Sequence, residues 1–352
     1  MKCVRTVSVI IPTYNRAHYL GEAIASILNQ DIQDCQIEII VVDDGSTDDT
    51  KEVIREFGNT VKYIYQDNRG AGPARNRGIN EAAGEWVAFL DSDDRWLPDK
   101  LALQFLVLDA FPAYNAIHSE FLIFDEEGIL TDKGLQYWLS DPYIWEKILW
   151  DDIYSERHES TDYDIRAERG SFSIYTGNIF AAQLKACCIS NWTLLVRRDC
   201  LETEIRFPEN YKLYEDYWFV CRLTEKHAVI FMDFATAENR AHHEARLTQA
   251  GYIERFKVHI DICNKIYLLS PSIYRPSDKE INKTTKLLNI MLFKKYLKDG
   301  MLAEARKTYD VIKMMKGPTG DRTYFLYLLT LLFPFDMIRK LIRLKRFIKE
   351  RL

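Results

Sequence analysis

An α/β architecture, a mostly parallel sheet with helices on both faces, is predicted by three features of this 352-residue sequence. Short β-branched runs alternate with stretches of helical apolar spacing from Val7 to Leu90. Two of those runs end in clusters of acids, at Asp43-Asp44 and at Asp91-Ser92-Asp93-Asp94. The first strand-to-helix turn, Pro12-Thr13-Tyr14-Asn15-Arg16, lacks a glycine triplet, which argues against a dinucleotide-binding fold of the usual kind.

Val7 to Ile11 is a β-branched run ended by Pro12, and Tyr19 to Gln30 follows with Leu20, Ala23, Ile24, Ile27 and Leu28 at helical spacing. Ile37 to Val42 gives the second strand. Ser46-Thr47-Asp48-Asp49 resembles a capping box that opens a helix with an apolar face of Val53, Ile54 and Phe57. Val61 to Tyr65 is a third strand, Pro73 to Ala83 a third helix and Trp86 to Leu90 a fourth strand. Such alternation implies a parallel sheet whose ligands sit beyond the carboxyl ends of its strands. Both acidic clusters lie at such ends.

Unpaired acids at the end of a buried strand are costly. A hard divalent cation with a diphosphate as its other partner would relieve both the desolvation and the mutual repulsion. A turn or helix cap is the competing reading for Asp-Ser-Asp-Asp, because Asp and Ser favour such positions. The second cluster at a neighbouring strand end shifts the balance towards one shared ligand cleft.

Four ordered motifs then resemble the family 2 glycosyltransferases of the GT-A fold: Val9 to Arg16, Val41 to Asp48, Ala74-Arg75-Asn76-Arg77-Gly78-Ile79, and Gly84 to Asp94. The resemblance implies inverting transfer of a sugar from a nucleotide diphosphate to an acceptor. It implies that Pro12, Thr13 and Tyr14 line the base pocket and that Asp44 accepts a hydrogen bond from base or ribose, for which the imide N–H of uracil is suited. Asp91, Ser92 and Asp93 match the Asp-x-Asp element, with Asp93 or Asp94 as the metal ligand, Mn2+ or Mg2+. Arg75 stands where a guanidinium could meet the diphosphate; a solvated helix face is the alternative.

The acceptor half is expected over residues 113–248, after a nucleotide-sugar half over 1–112. Asn115 to Phe124 reads as a strand. Residues 131–186 form an aromatic and acidic insertion with Trp138, Trp145 and Trp150 among its acids, read either as an acceptor-binding lid or as a small satellite core. Cys188 to Arg198 resembles the family segment that runs under the acceptor site. Tyr214-Glu215-Asp216 matches the family's Glu-Asp element opening a helix, which implies that Asp216 is the general base that inversion requires. An N-terminal helix turn decorated with favourable acids is the alternative. After the strand Ala228 to Phe234, His242 in Arg240-Ala241-His242 matches a metal-site or diphosphate-site histidine, with His243 leaving the register open.

Residues 249–322 read as a helical C-terminal region, with helices over Tyr252 to Tyr267, Lys279 to Leu297 and Met301 to Met315. The last sixteen residues, from Met337, carry seven basic side chains and one acid, a charge of +6 that leaves −11 for the rest of a chain of net charge −5. Their apolar residues, Met337, Ile338, Leu341, Ile342, Leu344, Phe347 and Ile348, follow a helical stripe. Ahead of them, Tyr324 to Phe335 is apolar but shorter than the roughly 20 residues a bilayer span needs. The segment 323–352 is therefore expected to anchor the protein on an anionic leaflet, with packing on its own domain or on a partner as the alternative.

The acidic body disfavours nucleic acid as a partner. Hydrophobic residues make up 47% of the chain, enough for a sizeable core, and its seven cysteines show no Cys-x-x-Cys pair or disulfide framework, so reduced packed thiols are expected. Met1 to Arg5 runs into the first strand, so no secretory signal is expected and a cytoplasmic, peripherally membrane-associated enzyme is. The acceptor is expected to be a glycan or glycolipid hydroxyl of a cell-surface polysaccharide. A polyprenyl-phosphate acceptor and a non-catalytic nucleotide-sugar-binding scaffold are the alternatives.

Overall fold

A computed structural model describes residues 4–139, 149–241 and 251–315, together with Thr323, Leu326 and Tyr327. The chain divides into two compact units, one of residues 1–244 with 272–275 and one of 245–271 with 276–352.

The first unit is built on an eleven-stranded sheet. Its opening half alternates β1 (Arg5–Thr13), α1 (Ala17–Leu28), β2 (Cys35–Asp43), α2 (Thr50–Glu56), β3 (Val61–Tyr65), α3 (Ala71–Glu81) and β4 (Trp86–Phe89). These four strands are parallel and lie in the order β3-β2-β1-β4. Val9, Ile10, Ile11, Ile40, Val41, Val42 and the whole of β4 are buried, as expected for parallel strands covered on both faces. Register does the functional work: Thr13 pairs with Asp43 and Asp43 with Tyr65, so three strands finish side by side. Gly78 lets α3 lie directly on β1, since a Cβ there would stand 2.4 Å from Ile10 Cγ2. That close packing fixes Arg75, one turn upstream.

After β5 (Arg95–Trp96) and α4 (Lys100–Ala110), the sheet continues through β6 (Ala116–Asp125), β7 (Gly128–Thr131), α5 (Gly134–Leu139), β8 (Glu156–Glu159), β9 (Ser173–Gly177), α6 (Phe180–Gln183), β10 (Leu195–Arg197), α7 (Glu215–Lys226) and β11 (Val229–Arg240). Beyond β4 the order is β10-β6-β11-β9-β8, with β10 antiparallel to both β4 and β6, and β11 parallel to β6. The sheet is thus mixed, and parallel in the half that carries the acid clusters.

Two expectations change here. Ser46 to Asp49 does not close a capping box: Asp48 Oδ2 accepts the Ala17 amide at 3.0 Å and Oδ1 the Thr50 amide at 3.2 Å, so its carboxylate serves the start of α1 as well as of α2. Second, the described residues of 131–186 are tied into the main sheet rather than forming a separate satellite core. They add β8 and β9 to the sheet edge, and Trp150, Tyr154 and Tyr175 pack around Phe231 of β11 with ring centroids 4.4, 5.8 and 6.1 Å away. The aromatics there are largely core, while Tyr137 and Trp138 of α5 stay exposed. Trp145 lies outside the described residues.

The second unit is helical. α8 (Tyr252–Ile262) runs on into a π-turn, Cys263–Tyr267, and is followed by α9 (Asp278–Lys298) and α10 (Leu302–Met314). Ser277 and Glu280 close a capping box on α9, the side chain of each meeting the other's amide, at 3.3 and 3.0 Å. Phe293, Tyr296, Leu297, Ala305, Tyr309 and Ile312 form its core. Among the described residues no helix is long and apolar enough to cross a membrane. The basic stripe from Met337 onward lies outside them.

Candidate active site

At the ends of β1 and β2, Pro12 and Thr13 are buried and Tyr14 is about half exposed. Asn15 takes a left-handed φ of 50°, its amide donating to Ser46 Oγ at 2.9 Å and its Oδ1 accepting from the Thr47 amide at 2.8 Å. The turns after β1 and β2 are thereby tied together. Asp44 is buried and collects the loop that follows β3: its Oδ1 accepts from Gln66 Nε2 at 2.7 Å and the Arg69 amide at 2.9 Å, and its Oδ2 from the Gly70 amide at 2.7 Å. A carboxylate has about four lone-pair sites, so these three bonds leave Oδ2 able to accept one more donor. Gly70, at φ 101°, supplies the backbone turn that opens α3.

The two candidate metal-binding acids after β4 differ sharply in setting. Asp94 is buried, with Asn239 Nδ2 at 3.1 and 3.0 Å from its two oxygens and the Arg240 amide donating to Oδ1 at 3.0 Å. Burial, and then the charges of Asp93 and Asp91, push its carboxyl well above the usual carboxylate range. Asp94 therefore clamps the Asp-x-Asp turn to the end of β11. Asp93 keeps a quarter of its side chain in solvent, with Arg16 Nε 3.7 Å from Oδ2. Of the two, Asp93 is the more exposed.

Arg75 joins the two ends of the site. Its Nη2 donates to Asp91 Oδ1 and its Nη1 to Glu215 Oε1, both at 2.7 Å, while the guanidinium lies over Phe207 with 5.3 Å to the ring centroid. It is thus not on a solvated helix face: each terminal nitrogen meets one carboxylate, and Nε is buried without a partner among the described residues. Asn76 pins the segment beneath it by a two-way pairing with the Phe207 backbone at 2.8 and 3.0 Å. A Cβ at Gly72 would stand 3.1 Å from the Pro208 carbonyl oxygen and 3.2 Å from Glu215 Cγ, so glycine eases the close approach of α3 to the start of α7.

Asp216 follows on the first turn of α7, behind Tyr214 in the left-handed region at φ 61°. Its Oδ1 accepts the Tyr217 amide at 2.7 Å. Burial and then the neighbouring Glu215 raise its carboxyl to about 6, against the lowering pull of Arg75. A carboxylate so tuned is suited to take a proton from a hydroxyl near neutral pH. One buried cation, Arg75, thus ties Asp91 to Glu215, the neighbour of Asp216, with Asp93 two residues past Asp91, while Asp44 organises the neighbouring strand end. His242 and His243 lie outside the described residues. Among those described, no three His, Cys, Asp or Glu side chains converge as a ready metal cage.

Sequence reasoning did not single out Asn239, Gln66, Arg16 or Asn76. Arg16 and Asn76 lay inside quoted motifs, whereas the partners of Asp94 sit at a sequence distance of 145 and 146 residues.

Residues 8–176 match the profile of Glycosyl transferase family 2. An uncharacterised glycosyltransferase of Rickettsia bellii is 32% identical over 212 residues, which is 60% of this chain and 25% of that protein. The GalNAc(5)-diNAcBac-PP-undecaprenol beta-1,3-glucosyltransferase of Campylobacter jejuni is 42% identical over 138 residues, 37% of this chain and 43% of that one. The chain spans only 25 to 31% of the length of the first of its curated relatives. S. aureus TarS 1-349, solved with UDP-GlcNAc, superposes with a TM-score of 0.60 at 18% identity over 97% of this chain and 91% of that one. A mannosyltransferase of Pyrobaculum calidifontis, solved with GDP-Man and Mn2+, gives 0.54 at 19% identity over 96% and 83%. Residues 8–176 thus resemble glycosyl transferase family 2 in sequence, and the fold of the chain is similar to those of the solved glycosyltransferases.

Proposed function

We propose that the protein is an inverting, cation-dependent glycosyltransferase that moves a sugar from a nucleotide diphosphate, UDP first among them, to a hydroxyl of a glycan or glycolipid. The observation that carries this reading is the Arg75 bridge, which joins Asp91 at the end of β4 to Glu215 beside Asp216. It ties an acid turn fit for a diphosphate to the helix turn that carries a tuned base. Pro12, Thr13, Tyr14 and the remaining acceptor site on Asp44 Oδ2 take the base and ribose, and Ser92 sits at the diphosphate. Asp93, an oxygen donor in partial contact with solvent, would hold the cation, Mn2+ or Mg2+, with His242 as a further ligand; the ion would supply positive charge against the leaving diphosphate. Asp216 takes the acceptor proton as that oxygen attacks from the face opposite the leaving group.

The Campylobacter relative's name describes an undecaprenol-linked glycan, and a Bacillus subtilis relative, 41% identical over 102 residues, is named for teichuronic acid biosynthesis. These names support an acceptor in cell-surface polysaccharide assembly. The basic stripe from Met337 suits a position at the cytoplasmic face of an anionic membrane. Released nucleotide is to be measured for the purified chain with a panel of nucleotide sugars and each cation. The expected result is slow hydrolysis of a UDP-sugar that stops when the cation is chelated and returns on adding Mn2+ or Mg2+. Binding of a UDP-sugar without turnover on water or any acceptor would point to a scaffold instead.

A further inference from the structure

The buried side of α1 carries Leu20, Ala23, Ile24 and Ile27, which leaves Glu22 half exposed. A glutamate so placed is ordinarily solvated, and an isolated ion pair there would add little. Glu22 is instead where two arginines from distant strands meet. Its Oε2 accepts from Arg240 Nη2 at 2.6 Å and from Arg95 Nη1 at 3.3 Å. Both guanidiniums also lie against Phe124 of β6, 4.7 and 4.2 Å from the ring centroid, and Arg95 Nε donates to Glu238 Oε2 at 2.9 Å. A guanidinium on an aromatic ring with a carboxylate at its edge is fixed in plane and direction. With 17% of its side chain exposed, Arg240 is held by a network and not by a loose surface pair.

The other donors of Arg240 go to the acid turn. Its Nε donates to the Asp93 carbonyl at 3.3 Å and its amide to Asp94 Oδ1 at 3.0 Å. These two contacts differ in origin. The amide contact belongs to the backbone of β11 and survives any side chain at 240. The contact to the Asp93 carbonyl depends on where the guanidinium lies, and Glu22 and Phe124 decide that. Arg16, at the start of α1, already stands 3.7 Å from the Asp93 carboxylate. A second guanidinium released beside it would compete with a divalent cation for those oxygens, since opposite charges a few ångströms apart attract more strongly in a partly dehydrated site than in water. Glu22 supplies the negative charge that keeps Arg240 engaged elsewhere. α1 thus meets the acid turn twice, directly through Arg16 and by way of Arg240 through Glu22.

We infer that Glu22 is a positioning residue: it holds the Arg240 guanidinium on the Asp93 carbonyl and off the Asp93 carboxylate, which stays available to the cation. The inference rests on the cation-dependent transferase reading and deepens it. Its test is a binding measurement. The Mn2+ concentration that half-restores UDP binding after chelation is read by titration calorimetry for wild type, Glu22→Gln, Arg240→Gln and the double variant. Glu22→Gln keeps the size of the side chain and an acceptor oxygen at a half-exposed position, so its melting temperature should stay close to that of wild type. The expected result is that Glu22→Gln raises the required Mn2+ by about 10-fold, a usual cost of losing a group that orients a metal ligand, and that excess Mn2+ restores binding. In the Arg240→Gln background the same change should do nothing further, because Glu22 acts through Arg240. An unchanged Mn2+ requirement in Glu22→Gln would overturn the inference, as would an equal loss in both backgrounds. So would a lowered melting temperature with a loss that excess Mn2+ does not repair, which would mark a contact of the fold alone. Stronger UDP binding without cation in Glu22→Gln would overturn it too, since Arg240 would then be a phosphate ligand that Glu22 restrains. A wild-type chain that binds UDP equally without cation would overturn the cation-dependent reading, and the inference with it.

Discussion

Replacing Asp216 with asparagine is expected to slow transfer to a hydroxyl acceptor by about 10²- to 10⁴-fold, the usual worth of a positioned general base. UDP affinity should hold within a few-fold, because Asp216 sits on α7 and not among the groups assigned to the base, ribose or diphosphate. Folding stability should hold or rise, and the sign follows from its raised carboxyl. A group whose ionisation is harder in the folded chain than in the unfolded one costs stability above about pH 6, where it is charged in both states, and ceases to do so below its ordinary value of 3.8. Asparagine removes that cost at neutral pH. The wild-type profile of kcat/KM against pH should therefore show an acid limb near 6, with activity falling as pH drops through it, and the variant should lack that limb. Stopped assays across pH 5 to 8 check both. A rate that barely changes in Asp216→Asn would indicate an acceptor already ionised, such as a polyprenyl phosphate.

Arg75→Met is expected to be the most damaging single change to the fold of the site. It leaves Glu215 and Asp91, which are 11% and 27% exposed at the side chain, without the cation that each meets at 2.7 Å. Breaking a buried pair by removing one partner costs about 3–5 kcal/mol. Urea unfolding measures that loss as a lower midpoint. The same variant carries a second readout, because the Arg75 charge holds the Asp216 carboxyl down against burial and Glu215. Without it the acid limb of the rate profile should move above 6. Arg75→Lys keeps the charge but not the planar fork, so it should restore part of the pH profile and less of the stability.

The parallel half of the sheet was open to reading in the sequence because its strands are short apolar runs with nothing else to be, and because the acids that end them lie in the same few residues. Val61–Tyr65 is found as expected, and β1, α3 and β4 differ from expectation only at their ends. The edge strands β8 and β9 were not legible. Glu156–Glu159 is a polar tetrapeptide, and it becomes a strand only because Ser173–Gly177 offers it a ladder.

The chemistry divides in the same way. Asp91, Asp93 and Asp94 could be nominated together, but the choice between Asp93 and Asp94 depends on Asn239 and the Arg240 amide, brought in from the far end of β11. Arg75 could be nominated as a cation near the diphosphate, whereas its engagement by Glu215, 140 residues away, is a tertiary fact. Glu22 carries no sequence signal at all, since a half-exposed glutamate on a helix is ordinary until the fold brings Arg240 to it from 218 residues away.

The central claim is that the acids closing β2 and β4 hold a nucleotide diphosphate through a cation resting on Asp93. Titration calorimetry of UDP into the protein tests it, with Mn2+, with Mg2+, and after chelation, for wild type and Asp93→Asn. The expected result is UDP binding that needs the cation in wild type and weakens by about tenfold or more in Asp93→Asn. Binding of equal strength with and without cation, and equal in the two proteins, would contradict it.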